Sequence, residues 1–249
     1  MIPKLIHLCW FSGDPYPELI QKCLDSWREF LPDYEIRLWD AARLANTEMP
    51  AWVHQAIAAK KYAFAADYVR VYALHTHGGF YLDSDVQVLR SFDDLLGNSS
   101  VMGKETSGDF EPAVIGAEPG MAWLKKCMEH YDGRSFVKED GSYDMTPLPI
   151  IVGETLQREY GISQRNAEAK FYPKAGLRIF EAVSFSPKCR ITKEILAGAD
   201  TYAIHHFDGK WVEPTFTHQL KEFVHKTVVS LFGRSVHNKF VNIIRETRR

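Results

Sequence analysis

Short apolar runs and amphipathic segments alternate at the start of the chain. Residues 4–10 form an almost continuous apolar run, which predicts a strand buried on both faces. Residues 19–31 then carry apolar side chains at helical spacing until Pro32, and residues 35–39 predict a second strand. A strand, a helix and a strand with short connections predict a parallel sheet in an α/β fold, where ligands bind beyond the carboxyl ends of the strands.

Two side chains at the ends of these predicted strands are candidates for ligand contact. Trp10 follows the first strand, and Asp40 follows the second. Each also has a purely structural alternative. An aromatic residue at a strand end is usually part of the core, and Asp40 is well placed to cap a short helix over residues 41–44. The residues alone leave both alternatives open.

A longer apolar helix is predicted over residues 58–77. Apolar residues cover most of its sides, so we expect it to be buried on more than one face. Asp67 and Arg70 are three residues apart and share one side of this helix. On an exposed helix they would form an ordinary ion pair, whereas buried charges need further partners and are common at functional sites.

A pair of aspartates follows the predicted end of that helix. Gly78 and Gly79 stop the helix, a short apolar strand begins at Phe80, and Asp83 and Asp85 come directly after it. Because side chains alternate along a strand, both carboxylates are expected on one side. Mg²⁺ and Mn²⁺ prefer such oxygen ligands and keep positions open for phosphate oxygens. The pattern therefore predicts a metal–diphosphate site, although an isolated pair of this kind is often a solvated turn.

Composition limits the choice of function and compartment. The 249 residues carry a formal net charge of −2, so no overall basic field indicates a nucleic-acid partner. The four cysteines lack CxxC spacing, and no signal-peptide pattern follows Met1. No apolar run approaches the roughly 20 residues of a membrane helix. We therefore expect reduced thiols and a cytoplasmic chain.

Several segments, in this order along the chain, resemble one known family. The segments are IPKLIHLCWF at 2–11, CLDSW at 23–27, EIRLWD at 35–40, ADYVR at 66–70 and GGFYLDSD at 78–85. They resemble the DXD-containing sugar transferases of the glycosyltransferase family 32 type. This group includes the yeast initiating α-1,6-mannosyltransferase, bacterial capsule and polysaccharide glycosyltransferases and, more distantly, the clostridial glucosylating toxins.

The resemblance implies a GT-A fold, in which a Rossmann-like domain binds a nucleotide-sugar together with Mn²⁺ or Mg²⁺. It also implies that the anomeric configuration of the transferred sugar is retained. The positions implied to contact the nucleotide are Trp10, which would stack on the base, Cys9, which would lie beside it through its backbone, Asp40 and Tyr81. Nothing in this chemistry requires a cysteine or serine nucleophile.

The same resemblance assigns the charged residues to the sugar, the diphosphate and the metal. Asp67 would hydrogen-bond the donor sugar, and Arg70 would contact the sugar or the diphosphate. Asp83 would reach the ribose and the metal, and Asp85 would be a firm metal ligand. A metal ion that bridges the two phosphates would stabilise the charge of the leaving group.

Residues 202–211 also resemble the family, and they contain two adjacent histidines. Histidine is a common metal ligand, and one from a distant segment would complete the aspartate pair. We expect His206 rather than His205 to take this role, and Trp211 to cover the diphosphate. Lys210 stands where the family often has serine, and its charge could pair with phosphate instead.

The sequence changes character after residue 217, so we divide the chain into a GT-A domain at 1–217 and basic amphipathic helices at 218–249. Lysine and arginine outnumber acidic residues in this tail. The helices would either pack on the catalytic domain or rest on anionic lipid. The second alternative would suit a lipid-linked acceptor and a peripheral position at the inner face of a membrane.

These features together predict a metal-dependent glycosyltransferase of polysaccharide biosynthesis. It would move a sugar from a nucleotide-diphosphate donor, with a UDP-sugar favoured, to the hydroxyl of a glycan or lipid-linked acceptor. The alternatives are a metal-dependent nucleotide-sugar hydrolase or phosphodiesterase and a non-catalytic nucleotide-sugar-binding module. The sequence lacks the larger ligand cluster of a two-metal hydrolase, and a non-catalytic module would have no chemical reason to keep Asp67, Arg70, Asp83 and Asp85.

Overall fold

A computed structural model of the chain describes residues 1–164, 166–190 and 192–208. Two candidates from the sequence, Lys210 and Trp211, lie outside these residues. The predicted tail at 218–249 and its division from the rest of the chain also lie outside them. Within the described residues, no helix is long and apolar enough to cross a membrane.

The strand–helix–strand unit predicted at the start of the chain is confirmed. Strand β1 (Leu5–Cys9) is followed by helix α1 (Glu18–Phe30) and strand β2 (Glu35–Trp39), and β1 and β2 pair in parallel. Helix α1 buries one face, and its Trp27 donates a hydrogen bond from Nε1 to the carbonyl oxygen of Val86 at 2.7 Å. This bond ties the first helix to the segment that carries the aspartate pair.

The predicted helix at 58–77 is confirmed, but it begins at Tyr62 rather than at Ala58. After the short helix α2 (Ala41–Ala45), helix α3 (Ala51–Ala58) ends where Lys60 adopts a left-handed φ of 56°. Helix α4 (Tyr62–His77) then begins. The expectation that this helix is buried on more than one side is confirmed, because its buried residues include the consecutive run from Tyr68 to Val71.

The remaining elements extend one large sheet and add a small one. They are β3 (Gly79–Leu82), β4 (Val86–Val88), a 3₁₀ turn (Asp93–Leu95), β5 (Ser100–Lys104), β6 (Phe110–Ala117), α5 (Ala122–Glu129), α6 (Leu148–Tyr160), β7 (Phe171–Tyr172), β8 (Leu177–Phe180), α7 (Ala182–Phe185) and β9 (Ala203–His205). The seven-stranded sheet has the order β2-β1-β3-β6-β5-β8-β7, and β4 pairs with β9 in a separate two-stranded sheet.

The α/β fold class is confirmed, but the large sheet is mixed rather than parallel. Strands β2, β1 and β3 are parallel and form its Rossmann-like part, whereas β6 runs antiparallel to both β3 and β5. The short turn at 105–109 joins β5 directly to β6, and a connection of this length permits only an antiparallel pair. Consecutive side chains of β3 point to opposite faces of the sheet. Phe80 packs in a hydrophobic cluster with residues of α1 and Tyr81 in another with residues of α4, so helices cover both faces.

Glycines allow β1 and β3 to approach closely beside the site. Gly78 and Gly79 both have positive φ, and a Cβ atom on Gly79 would lie 2.5 Å from the carbonyl oxygen of Leu5. Residues other than glycine would therefore push the two strands apart. The close pairing brings the residues after β3 to the same sheet edge as Cys9, the last residue of β1, and Trp10, which follows it.

His7 is buried in β1 and should make stability depend on pH. Its Nε2 lies 2.8 Å from the carbonyl oxygen of Gly78, and its Nδ1 accepts a hydrogen bond from Trp39 Nε1 at 3.0 Å. Both contacts are satisfied by the neutral ring, with the proton on Nε2. Burial lowers the pKa of His7 from 6.5 to about 4, although the hydrogen bond to Gly78 partly opposes this.

We expect the contribution of His7 to be fully present above pH 6.5 and to be lost as the pH falls towards 4. In that window the unfolded chain binds a proton on His7 that the folded protein excludes. The resulting loss in the free energy of unfolding is about 2–3 kcal/mol. Urea unfolding at a series of pH values would measure it. The His7→Gln variant keeps one donor and one acceptor and should lose less stability over this window than wild type. Equal losses in wild type and variant would contradict the prediction.

Candidate active site

Three side chains with metal-ligand chemistry meet where β3 ends. Asp83 and Asp85 lie in the tight turn between β3 and β4, which is closed by a hydrogen bond from the Val86 amide to the carbonyl oxygen of Asp83 at 3.0 Å. His205 ends β9 and pairs with Val86 of β4. One ligand atom from each of Asp83, Asp85 and His205 lies within 4.8 Å of the others. The two carboxylates converge through this turn and not through strand alternation.

The carboxylate of Asp85 is held in a fixed orientation. Its Oδ2 accepts a hydrogen bond from the Asp208 amide at 2.8 Å, and its Oδ1 lies 3.4 Å from His205 Nε2. Burial alone would raise the pKa of Asp85, but His205 and the Asp208 amide outweigh it and hold the pKa well below its usual range. Asp85 is therefore a carboxylate at any physiological pH.

His205, and not His206, lies beside the aspartates. The sequence analysis had expected His206 to complete the aspartate pair. In the antiparallel pair of β4 and β9, consecutive side chains point to opposite sides. The Nε2 atom of His206 lies 3.0 Å from Gln87 Oε1, and its backbone amide donates to the carbonyl oxygen of Asp85 at 3.0 Å. His206 thus supports the loop that carries Asp85, while His205 faces the carboxylates.

Arg70 joins helix α4 to the loop of the aspartates. Its Nη2 lies 2.8 Å from Asp83 Oδ1 and 3.6 Å from Asp67 Oδ1, and its Nη1 donates to the carbonyl oxygen of Pro112 at 2.6 Å. The guanidinium carbon stands 4.3 Å from the centre of the Tyr81 ring. Arg70 is only 5% exposed. The pair of Asp67 and Arg70 is therefore part of a buried network and not a surface ion pair.

Asp67 contacts the beginning of another helix. Its Oδ2 accepts a hydrogen bond from the Leu148 amide at 3.0 Å, and Leu148 is the first residue of α6. A carboxylate is favoured at a helix N-terminus, where backbone N–H groups are unpaired. Burial nevertheless raises the pKa of Asp67 to about 7, against the opposing effects of Arg70 and the Leu148 amide. The side chain of Asp67 is only 14% exposed, so this carboxylate lies in a water-poor part of the site.

The candidates for nucleotide contact lie around the same edge of the sheet. The Trp10 ring is partly exposed, donates from Nε1 to the carbonyl oxygen of Asp14 at 2.8 Å and packs against Tyr16 with ring centres 4.9 Å apart. Tyr81 is buried beneath Arg70, and burial raises the pKa of the neighbouring Cys9 thiol to about 12. Cys9 is therefore a thiol rather than a nucleophilic thiolate.

Asp40 has the capping role that the sequence left open. It precedes α2, and its Oδ1 accepts a hydrogen bond from the Arg43 amide at 2.8 Å. This contact occupies one oxygen of the carboxylate. Asp40 therefore has a structural role as the N-cap of α2. Among the described residues, its contacts show no feature specific to nucleotide binding.

The sequence analysis missed a buried glutamate beside His205, and a second, partly buried glutamate lies outside the ligand cluster. Glu111 on β6 lies with its Oε1 3.7 Å from His205 Nδ1, and Glu105, just after β5, has its Oε2 3.7 Å from Arg190 Nη1. The signal for Glu111 was present, since it is a single acidic residue within the otherwise uncharged run 110–117. A charge inside a buried strand requires a partner, but the sequence could not identify His205 as that partner.

The chemistry of this donor set fits a divalent ion. Two carboxylates and one imidazole are ligands that Mg²⁺ or Mn²⁺ accepts, with imidazole favouring Mn²⁺ over Mg²⁺. The Nδ1 atom of His205 is buried and has no hydrogen-bond partner among the described residues. Burial by itself would lower the pKa of His205, but the neighbouring carboxylates of Asp85 and Glu111 raise this pKa well above 6.5. A positive charge is thus favoured at this place.

Comparison with known proteins agrees with this site. Residues 17–102 match the glycosyltransferase sugar-binding region containing DXD motif, a segment that includes Asp67, Arg70, Asp83 and Asp85. The matched segment is therefore similar to a glycosyltransferase sugar-binding region. Over these residues the chain is similar to the glycosyltransferases whose sugar-binding region contains the DXD motif. His205 and Glu111 lie outside the matched segment.

Two similar proteins have names that refer to a mannosyl group and an inositol-containing ceramide. The chain is 31% identical to mannosyl phosphorylinositol ceramide synthase SUR1 of Saccharomyces cerevisiae over 165 residues, 62% of this chain and 40% of that protein. It is 30% identical to inositol phosphoceramide mannosyltransferase 3 of Schizosaccharomyces pombe over 132 residues, 52% of this chain and 37% of that protein. The chain thus spans less than half the length of these relatives.

Solved structures of similar proteins are also glycosyltransferases by title. The PaToxG glycosyltransferase aligns with a TM-score of 0.48 and 20% identity, over 64% of this chain and 70% of that chain. A glycosyltransferase involved in glycosylation of the major capsid of PBCV-1 aligns with a TM-score of 0.46 and 11% identity, over 82% of this chain and 94% of that chain.

Proposed function

We propose that this chain transfers a sugar from a nucleotide-diphosphate donor to the hydroxyl of a glycan or lipid-linked acceptor, with a divalent ion held by Asp83, Asp85 and His205. The observation that carries the proposal is the convergence of these three ligands beside Arg70 and Asp67 at the carboxyl end of β3. The same edge of the sheet holds Trp10 after β1. Because ligands of α/β folds bind beyond the carboxyl ends of the strands, this edge would serve nucleotide, diphosphate and sugar together.

The proposed ion would act as a Lewis acid on the diphosphate, which is the leaving group. Asp85 and Asp83 supply carboxylate oxygens that hold it, and their positions are set by the Asp208 amide and by Arg70. Because these contacts exist before the donor binds, no reorganisation is needed when charge develops on the diphosphate. Asp85 contributes most directly, since its low pKa keeps it ionised.

Asp67 and Arg70 are proposed to orient the donor sugar. Arg70 is buried and Asp67 is largely buried. Each is held from two sides, Asp67 by the Leu148 amide and Arg70, and Arg70 by Pro112 and Asp83. Rigid polar groups can hold the sugar hydroxyls so that the anomeric carbon is open to the acceptor. Retention of configuration is proposed from the resemblance to the family. No residue of the site is assigned as a nucleophile.

The donor is proposed to be a hexose nucleotide, with a UDP-sugar as the first candidate and a mannose nucleotide as the second. The first follows from the family resemblance, and the second from the names of the two relatives, which both refer to a mannosyl group. Those names also make an inositol-containing lipid a suitable acceptor to include in the test. The acceptor itself is proposed only as a hydroxyl-bearing glycan or lipid-linked glycan.

A panel of UDP- and GDP-sugars tests this function. We expect nucleotide release in the presence of Mn²⁺ from one donor only, increased by a hydroxyl acceptor and abolished by chelation of the metal. Soluble glycans and an inositol-containing lipid in detergent would serve as separate acceptor arms. Equal release from every donor without acceptor would instead identify a hydrolase. Calorimetry that shows no metal-dependent nucleotide binding, together with no release, would exclude both enzymes.

A further inference from the structure

Glu111 is buried beside the proposed metal site without belonging to its ligands. Its strand β6 pairs with β3, the strand that leads into Asp83, and the side chain is 11% exposed. Oε1 of Glu111 accepts a hydrogen bond from the Ala113 amide at 3.2 Å. Burying a carboxylate costs several kcal/mol unless charged or hydrogen-bonded partners compensate. A single backbone amide is a small compensation, so a further partner is needed.

That partner is His205. The imidazole lies between two carboxylates, with Nε2 3.4 Å from Asp85 Oδ1 and Nδ1 3.7 Å from Glu111 Oε1. The ring of Phe207 lies with its centre 4.0 Å from that of His205 and restricts its rotation. Nδ1 is the buried nitrogen that lacks a hydrogen bond among the described residues. Of the two ring nitrogens, Nε2 thus faces the aspartates and Nδ1 faces Glu111.

We propose that Glu111 is a positioning residue, which accepts a hydrogen bond from Nδ1–H of His205 and thereby directs the lone pair of Nε2 towards a cation held by Asp83 and Asp85. The inference rests on the proposed function, because it requires that these three residues bind a divalent ion. A metal-bound imidazole commonly donates its other N–H to a carboxylate, which fixes the tautomer and makes the ligand nitrogen more basic. Closing the 3.7 Å gap requires only a small movement of either side chain.

The experiment compares Mn²⁺ binding by wild type, Glu111→Gln, Glu111→Met and Glu105→Gln, with electron paramagnetic resonance of free Mn²⁺ as the readout and with UDP absent or present. Gln can still accept a weaker hydrogen bond from Nδ1–H, whereas Met cannot. We expect the dissociation constant to rise about tenfold for Gln and up to about a hundredfold for Met.

Glu105→Gln is the matched control. Glu105 is also 11% exposed on its side chain, and it faces Arg190 at 3.7 Å and Ser107 rather than His205. Removing its charge changes the local potential without touching the imidazole. We expect its Mn²⁺ affinity to stay within about threefold of wild type, since a charge effect between partly screened groups is small.

A second readout separates positioning from a merely structural role. In Mn²⁺-loaded wild type, electron spin-echo spectra should show coupling to a histidine nitrogen, and this coupling should weaken in Glu111→Gln and disappear in Glu111→Met. Unchanged Mn²⁺ affinity and nitrogen coupling in both Glu111 variants would overturn the inference alone. An equal loss of affinity in Glu105→Gln would overturn it too. Absence of Mn²⁺ binding by wild type, with or without UDP, would overturn the proposed metal function itself.

Discussion

Replacing Asp85 with asparagine should reduce the rate of sugar transfer by about a thousandfold and leave the fold intact. The proposed ion would stabilise the negative charge that develops on the leaving diphosphate and so lower the activation free energy by several kcal/mol. A loss of about 4 kcal/mol corresponds to three orders of magnitude in rate. Asparagine can still accept the hydrogen bond that Asp208 donates to Oδ2. It cannot supply a negative charge opposite His205, so the metal affinity should fall with the rate.

The measurement is the initial rate with the best donor over a range of Mn²⁺ concentrations, together with the midpoint of thermal unfolding. The matched control is Asp94→Asn, because Asp94 is half exposed and pairs with Arg90 and Tyr202 rather than with a residue of the aspartate turn. We expect this control to keep the wild-type rate. A rate for Asp85→Asn within threefold of wild type at every Mn²⁺ concentration would refute the role of Asp85 as a metal ligand.

Replacing Arg70 with lysine should cost both stability and activity. The guanidinium meets the carbonyl oxygen of Pro112, the carboxylates of Asp83 and Asp67, and the ring of Tyr81 at the same time. An ammonium group is a point charge and cannot occupy all of these directions. Since the site is buried, the groups that lose their partner remain out of contact with water, and we expect about 2–4 kcal/mol of stability to be lost.

Arg90→Lys provides a close control for this substitution. Arg90 has a similar set of contacts, with Nη2 2.8 Å from Asp94 Oδ2 and its guanidinium carbon 4.4 Å from the Tyr202 ring, but its side chain is 41% exposed. Water replaces lost contacts there, so the expected change is below about 0.5 kcal/mol. Urea unfolding gives both values, and donor KM and kcat give the catalytic loss, expected at about a hundredfold for Arg70→Lys. Similar losses in the two variants would show that burial of Arg70 is unimportant.

The N-terminal half of the fold follows from local patterns. The apolar run before Trp10, the amphipathic helix that follows and the apolar strand after it predict the parallel unit of β1, α1 and β2, and the structure confirms it. The two glycines after α4 and the aspartates after β3 were also readable, because each depends on a few consecutive residues. The break between α3 and α4 was missed, since a left-handed Lys60 has no strong sequence signal.

The charged pair in α4 shows how far such reasoning reaches. Helical spacing placed Asp67 and Arg70 on one side, but the partners that fix them are Leu148, Pro112 and Asp83. These partners arrive from α6, β6 and the turn after β3. The importance of the pair was therefore visible in the sequence, while its geometry was set by the packing of elements distant in the chain.

The choice between the two histidines was decided only by tertiary structure. By itself the sequence determined the α/β unit at the start of the chain, the aspartate pair after β3 and the presence of two histidines after a late strand. The register of β9 against β4, residues more than a hundred positions apart, decided that His205 faces Asp85 and Glu111. A shift of one residue in that pairing would reverse the two histidines, because strand side chains alternate and no local pattern fixes a long-range register.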